Sequence, residues 1–118
     1  MNLAVDVDRV AGRTRGTRGA KWRDQITRAA SSVPTNIVEG SAHESPREYA
    51  RFLGYSISSV TEVEGHIELA RELRMISELD SARLLNAVVE VRKMLHGLKK
   101  SIDPRDDPPS GKPDAADA

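Results

Sequence analysis

The chain has 118 residues and a mass of 12.9 kDa, which is the size of one domain and excludes a second. Aromatic residues make up 3% of the sequence and charged residues 31%, a composition typical of helical proteins rather than β-sandwiches or barrels. Because 18 basic residues balance 18 acidic ones, the zero net charge disfavours a simple nucleic-acid binder, which normally carries an excess of Lys and Arg.

The absence of cysteine excludes disulfides, thiolate nucleophiles and cysteine-based zinc sites. The N-terminal sequence lacks the apolar core of a signal peptide, and no run of about 18 uncharged apolar residues is long enough to span a membrane. We therefore expect a soluble, cytoplasmic protein without membrane contact.

The first 20 residues have the weakest pattern. Leu3, Val7 and Val10 recur at helical spacing and predict a short first helix over about 2–13. Glycines then follow among Arg and Thr, at Gly12, Gly16 and Gly19. They predict a flexible basic connection, so that residues 1–20 combine a short helix with a linker.

A second helix is predicted over 20–42, where apolar residues recur at helical spacing. These residues are Ile26, Ala29, Ala30, Val33 and Ile37. Pro34 lies among them, and a proline inside a helix removes one backbone hydrogen bond. The sequence is compatible with one kinked helix or with two shorter ones.

A third helix begins at Pro46, because Ser45, Pro46 and Glu48 form an N-cap, a first-turn proline and the carboxylate of a capping box. Helical spacing of apolar residues continues over 46–74, about 42 Å at a rise of 1.5 Å per residue. Small residues that allow close approach of another helix are spread along it, namely Gly54, Ser56, Ser58, Ser59 and Gly65.

A fourth helix is predicted over 78–102, where apolar residues alternate at steps of four and three. They are Leu84, Val88, Val91, Leu95, Leu98 and Ile102. Pro104 prevents its continuation. The sequence thus predicts an all-α, up-and-down antiparallel four-helix bundle with its core in 21–103, followed by a disordered Pro-, Asp- and Ala-rich tail over 104–118.

Six short motifs follow one another between about Trp22 and Ser101. They read Arg28-Ala29-Ala30, Ser32-Val33-Pro34, Asn36-Ile37-Val38-Glu39-Gly40, Arg51-Phe52-Leu53, Ser58-Ser59 and Glu62-Val63-Glu64. In these motifs the chain resembles the small four-helix bundle proteins associated with ribosomal-RNA intervening sequences. That family is related to the accessory proteins of diversity-generating retroelements.

The resemblance implies a four-helix bundle with a proline inside the second helix and, from related members, a homopentamer. The retroelement accessory proteins act beside a reverse transcriptase and bind nucleic acid. Three features depart from the family pattern, one of which is that Gly65 and His66 stand where the family has Thr-Gln. The first helix is shorter than usual, and Arg74 stands where a glycine is expected after the third helix, which predicts an irregular helix end.

Polar residues interrupt the apolar stretches of the second and third helices, namely Arg28, Asn36, Glu39, Arg51, Ser59 and Glu62. We interpret them as a structural polar layer that fixes the register between the two helices, since buried charges must be paired. Glu39 or Glu62 should then contact Arg28 or Arg51. The alternative is a carboxylate site, including Glu64, for a metal or for acid–base chemistry.

No pattern typical of catalysis or cofactor binding is present. None of the three histidines follows a glutamate by three residues, as a di-iron bundle would require. No phosphate-binding glycine loop and no nucleophile elbow occurs either. We therefore expect no enzymatic activity, no cofactor, no metal and no small-molecule substrate.

The zero net charge hides blocks of opposite sign. Between Arg9 and Arg28 seven basic residues accompany one acidic residue, a net charge of +6. Candidate phosphate-binding residues in this segment are Arg13, Arg15, Arg18, Lys21 and Arg23. Alternatively, the segment is a solvated linker, or it meets acidic residues of the same or a neighbouring subunit.

We expect the protein to be a non-enzymatic, self-associating scaffold or adaptor, because a short first helix leaves apolar surface of the longer helices uncovered. The alternative is a nucleic-acid-binding accessory protein that binds RNA or DNA through the basic segment 9–28.

Overall fold

The computed structural model describes residues 2–14 and 16–102, which form four helices and, within those ranges, no strand. The helices are α1 (Leu3–Ala11), α2 (Gly16–Ser41), α3 (Pro46–Glu72) and α4 (Glu78–Ile102). α2 and α4 each pack against both α1 and α3. The predicted all-α four-helix bundle is therefore confirmed, whereas the predicted tail over 104–118 lies outside the described residues.

The bundle core is aliphatic, as the low aromatic content implied. Its largest fully buried apolar side chains are Ile26, Leu53, Ile67, Leu84, Leu95, Val7, Val60, Val63 and Val88. Among the described residues, Trp22 is the one aromatic side chain that is buried in the core, and its indole N–H donates to the His66 carbonyl over 2.9 Å. This hydrogen bond links the first turns of α2 to the last turns of α3.

The connection between α1 and α2 is shorter than the sequence predicted, because α2 begins at Gly16 rather than near residue 20. Thr14 is buried, and the Arg23 guanidinium donates to its carbonyl. A Cβ placed on Gly19 would lie 2.9 Å from the Thr14 methyl. Thr14 therefore packs against the first turns of α2, in the region where a flexible linker was expected.

Pro34 does not divide α2, which continues through it to Ser41 as one helix. Of the two alternatives compatible with the sequence, a single helix containing the proline is what the structure shows. Near the proline, the buried Ser56 hydroxyl of α3 donates to the Val33 carbonyl over 2.8 Å. This contact attaches α3 to the α2 backbone beside the proline.

The end of α3 is regular, so the irregular end predicted from the missing glycine was wrong. Arg74 takes up the left-handed conformation itself, with a φ of 58°. The Arg74 N–H donates to the Arg71 carbonyl over 3.0 Å, and the Met75 N–H donates to the Ala70 carbonyl over 2.8 Å. These two bonds form a Schellman motif. Arg74 adopts its left-handed conformation at a steric cost from the Cβ, which glycine would avoid.

Gly40 allows a close approach between α2 and α3. A Cβ placed there would lie 2.7 Å from the Phe52 Cβ and 2.9 Å from the Tyr49 Cδ1. Real side chains do not approach so closely, so a larger residue would push the two helices apart. The end of α2 and the start of α3 can pack in this geometry only with glycine at this position.

None of the helices in the described part of the chain is both long enough and apolar enough to cross a membrane.

Replacing Gly40 by alanine should destabilise the protein by about 1–3 kcal/mol, because the added methyl group overpacks the α2–α3 contact. Gly65 is the matched control, since it lies exposed within α3 and a Cβ there would meet nothing within 4 Å. Gly65→Ala should stabilise by about 0.5–1 kcal/mol through helix propensity alone. Urea unfolding at one fixed protein concentration measures both changes. Equal effects of the two substitutions would contradict the close approach at Gly40.

Arg74→Gly should stabilise the protein by about 1 kcal/mol, because glycine adopts the left-handed conformation without the clash of a Cβ. The control is Arg71→Gly, which places glycine inside the same helix and should destabilise by a similar amount. Thermal unfolding of both variants provides the comparison. A loss of stability in Arg74→Gly would show that the helix does not end in this motif.

Candidate functional site

The predicted charge pairs between α2 and α3 do not form. Arg28 instead pairs with Asp24 over 2.5 Å and Arg51 with Glu48 over 2.8 Å, each within its own helix. Glu39 is exposed, and Glu62 lies 3.9 Å from His66 on the same helix. Residues three or four apart on one helix are neighbours on its surface, where they can pair without losing hydration.

Neutral hydroxyls make polar contacts between the middle turns of α2 and α3 instead. The Ser32 hydroxyl donates to the Ser59 hydroxyl oxygen across the interface, about one helical turn from the Ser56 contact with Val33. Asn36 donates to the Ser32 carbonyl of its own helix over 2.8 Å. The polar layer thus consists of short uncharged side chains, of which Ser59 and Asn36 belong to the predicted set.

The carboxylates considered as a site, Glu39, Glu62 and Glu64, have separate surroundings. Glu64 pairs with Arg92 over 2.6 Å and thereby links α3 to α4. Within the described ranges, no group of three or more His, Asp or Glu side chains is placed to hold a metal ion.

The residues of the basic segment have different environments. Arg13 pairs with Asp80 at the start of α4 over 2.7 Å, and Arg23 is bound to the Thr14 carbonyl. Lys21 is exposed. Arg15 and the side chain of Arg18 lie outside the described part of the structure. At least two of the five candidate cations, Arg13 and Arg23, therefore make contacts within the chain. These contacts hold α1, α2 and α4 together.

An apolar groove lies between α2 and α4 at the point where α1 begins. α1 has 9 residues and is about 14 Å long, whereas α2 has 26 residues and is about 39 Å long. The groove has a volume of about 130 Å³ and is lined by Asn2, Leu3, Ala4, Ala30, Val33, Pro34, Ile37, Val91 and Met94. Met94 is 60% exposed there, and Val38, one turn after Pro34, is 67% exposed.

A second opening, which we call the α3–α4 cleft, was not predicted from the sequence. It has a volume of about 650 Å³ and is lined by Arg47, Glu48, Ala50, Arg51, Gly54, Tyr55 and Ser58 of α3 and by Lys99 of α4. Spacing of four residues from Arg47 to Arg51 and on to Tyr55 places these side chains on one helical face. That spacing was the available sequence signal.

Arg51 is held in place within the α3–α4 cleft. Its Nε and Nη2 both donate to one Glu48 oxygen, over 3.2 Å and 2.8 Å. The hydrogen bonds that Arg51 donates to Glu48, and then the negative charge of Glu48, raise the pKa of the Arg51 guanidinium. The guanidinium carbon lies 5.7 Å from the ring centroids of both Phe52 and Tyr55.

Residues 1–97 match a family model, that of the 23S rRNA-intervening sequence protein. The chain belongs to this family. The resemblance inferred from the six motifs is thereby confirmed.

The fold of this intervening-sequence family member has also been seen in a crystal structure. A protein of unknown function from the S23 ribosomal protein family of Bacteroides thetaiotaomicron superposes with a TM-score of 0.65 at 19% sequence identity. The similarity covers 83% of this chain and 98% of that one. At this identity the likeness shows the fold alone. A search of curated proteins gave no match.

The motifs that identified the family lie largely where α2 meets α3. Ser32 and Ser59 share a hydrogen bond, and Gly40 lies against Phe52. In this intervening-sequence protein these motif residues therefore build the contact between two helices.

Proposed function

We propose that this intervening-sequence protein is a non-enzymatic, cytoplasmic scaffold or adaptor that acts as a homo-oligomer. The observation that carries the proposal is the apolar groove beside the start of α1. Val38 and Met94 are each more than half exposed at or next to it. Exposed apolar side chains grouped in this way are typical of surfaces that contact another protein.

The length of α1 is the reason that a second copy is the proposed partner. α1 covers the parts of α2 and α4 near the Arg13–Asp80 ion pair, and the later turns of both helices extend beyond it. Partly buried Ile37, Leu98 and Ile102 continue the apolar surface in those turns. A helix of a neighbouring copy would cover this surface with apolar side chains, as α1 does elsewhere in the bundle. We take five subunits as the proposed number, since the resemblance to related members implies a homopentamer.

The alternative function is a nucleic-acid-binding accessory protein that uses the basic segment 9–28. Support for it comes from the charge of the segment and from the exposure of Lys21. The contacts of Arg13 with Asp80 and of Arg23 with Thr14 give these two cations a structural role instead. We therefore place self-association first.

Sedimentation velocity at micromolar concentration should find an oligomer for the unmodified chain, and the double variant Val38→Glu, Met94→Glu should associate at least about tenfold more weakly. The reason is that association would bury two new carboxylates without partners. Leu79→Glu is the matched control, because Leu79 is 59% exposed but lies more than two helical turns from Met94 along α4.

A monomeric unmodified chain would contradict the proposal. So would dissociation by Leu79→Glu while the groove variant stays assembled, because the interface would then lie elsewhere. Circular dichroism of each variant shows whether the helices are retained.

A further inference from the structure

Met94 gives the groove between α2 and α4 a side chain that can be chemically modified. Its side chain lines the groove and is 60% exposed. Met75, the other methionine of the described residues, is partly buried and packs against the core. Because oxidation of a side chain follows its exposure, a dissolved oxidant should react with the Met94 sulfur before it reacts with the Met75 sulfur.

The surroundings of Met94 are apolar. Pro34 and Ile37 of α2 and Val91 of α4 line the same groove. Asn2 is the one polar residue among the described lining residues, and its side-chain oxygen accepts a hydrogen bond at the start of α1. A polar atom that is buried without a hydrogen-bond partner loses hydration without compensation. One oxygen atom added to the Met94 sulfur would place such a polar atom in the groove.

The bundle itself depends little on Met94. This side chain belongs neither to the buried core nor to the partly buried residues that pack against it. A sulfoxide at Met94 would therefore change the surface of a folded protein, whereas a sulfoxide at Met75 would disturb core packing. Chemical modification of Met94 can thus alter association without unfolding the chain.

We propose that Met94 is a reversible oxidation site that controls self-association, with a peroxide as the oxidant. The sulfur lone pair attacks one oxygen of hydrogen peroxide, so that the S–O bond forms as the O–O bond breaks. The transferred oxygen gives its proton to the departing oxygen, which leaves as water. The sulfur loses two electrons and the peroxide gains them. A methionine sulfoxide reductase returns the sulfoxide to the thioether.

This inference rests on the proposed self-association through the groove. In an oligomer of that kind a neighbouring copy would cover Met94. The free subunit is therefore the form that reacts, and its oxidation prevents it from associating again. Dilution, which releases subunits, should speed the oxidation of Met94 and leave that of Met75 unchanged.

Treatment of the full chain with hydrogen peroxide, followed by peptide mass spectrometry and sedimentation velocity, tests the proposal. In dilute solution Met94 should be oxidised several times faster than Met75, and the oxidised chain should associate about tenfold more weakly. Incubation with methionine sulfoxide reductases A and B should restore association. Circular dichroism should show the same helix content before and after treatment.

Two leucine variants identify the sulfur atom that is responsible, since leucine is apolar, similar in size and without sulfur. The association constant of Met94→Leu should be the same before and after peroxide treatment. Met75→Leu is the matched control, because it keeps Met94 and should lose association on treatment as the unmodified chain does.

Three results would overturn the proposal. They are a Met94 sulfoxide that leaves sedimentation unchanged, a loss of association in peroxide-treated Met94→Leu, and oxidation of Met94 no faster than that of Met75 in dilute solution. A chain that is monomeric before treatment would contradict the proposed self-association itself. A chain that stays assembled with Met94 oxidised would contradict this inference alone, so the two failures are distinguishable.

Discussion

The close contact between α2 and α3 is the constraint on which the rest of the bundle depends. Gly40 permits the approach at one end, and Trp22 bonds to the His66 carbonyl at the other. Between them, Ser56 and Ser59 supply short neutral hydroxyls to α2. Because none of the described residues buries a charge in this contact, no desolvation of their charged groups offsets the gain from apolar packing. Two helices of about 40 Å are aligned in this way and provide the surface on which α4 and then α1 pack.

The short α1 determines which apolar surface of the bundle stays exposed. Only Leu3, Val7, Val10 and Ala11 of this helix are buried, and a helix of nine residues is not stable without such packing. The Arg13–Asp80 ion pair and the bond between Arg23 and Thr14 attach its C-terminal end to α4 and α2. Its N-terminal end leaves the α2–α4 groove open. The surface that we assign to self-association is thus a consequence of helix length.

The helices themselves could be predicted from the sequence, because periodicity and caps are local. α3 begins at Pro46 and α4 spans 78–102 as predicted. The start of α2 could not be predicted, since burial of Thr14 is a tertiary effect that overrides the local preference of glycine for turns. The charge pairs predicted between α2 and α3 were wrong because successive side chains on a helix point in directions about 100° apart. The α3–α4 cleft escaped detection because Lys99 joins residues of another helix far away in the sequence.

Native-state hydrogen exchange in increasing denaturant tests the central claim, that α1 packs onto a more stable α2–α3 pair. Buried amides of the pair, such as those of Ile26 and Val60, should exchange only through global unfolding. Amides in the last turns of α1, at Val7 and Val10, should open with a free energy at least about 1 kcal/mol lower and with a smaller dependence on denaturant. Identical opening free energies and denaturant dependences for α1 and the pair would contradict the account.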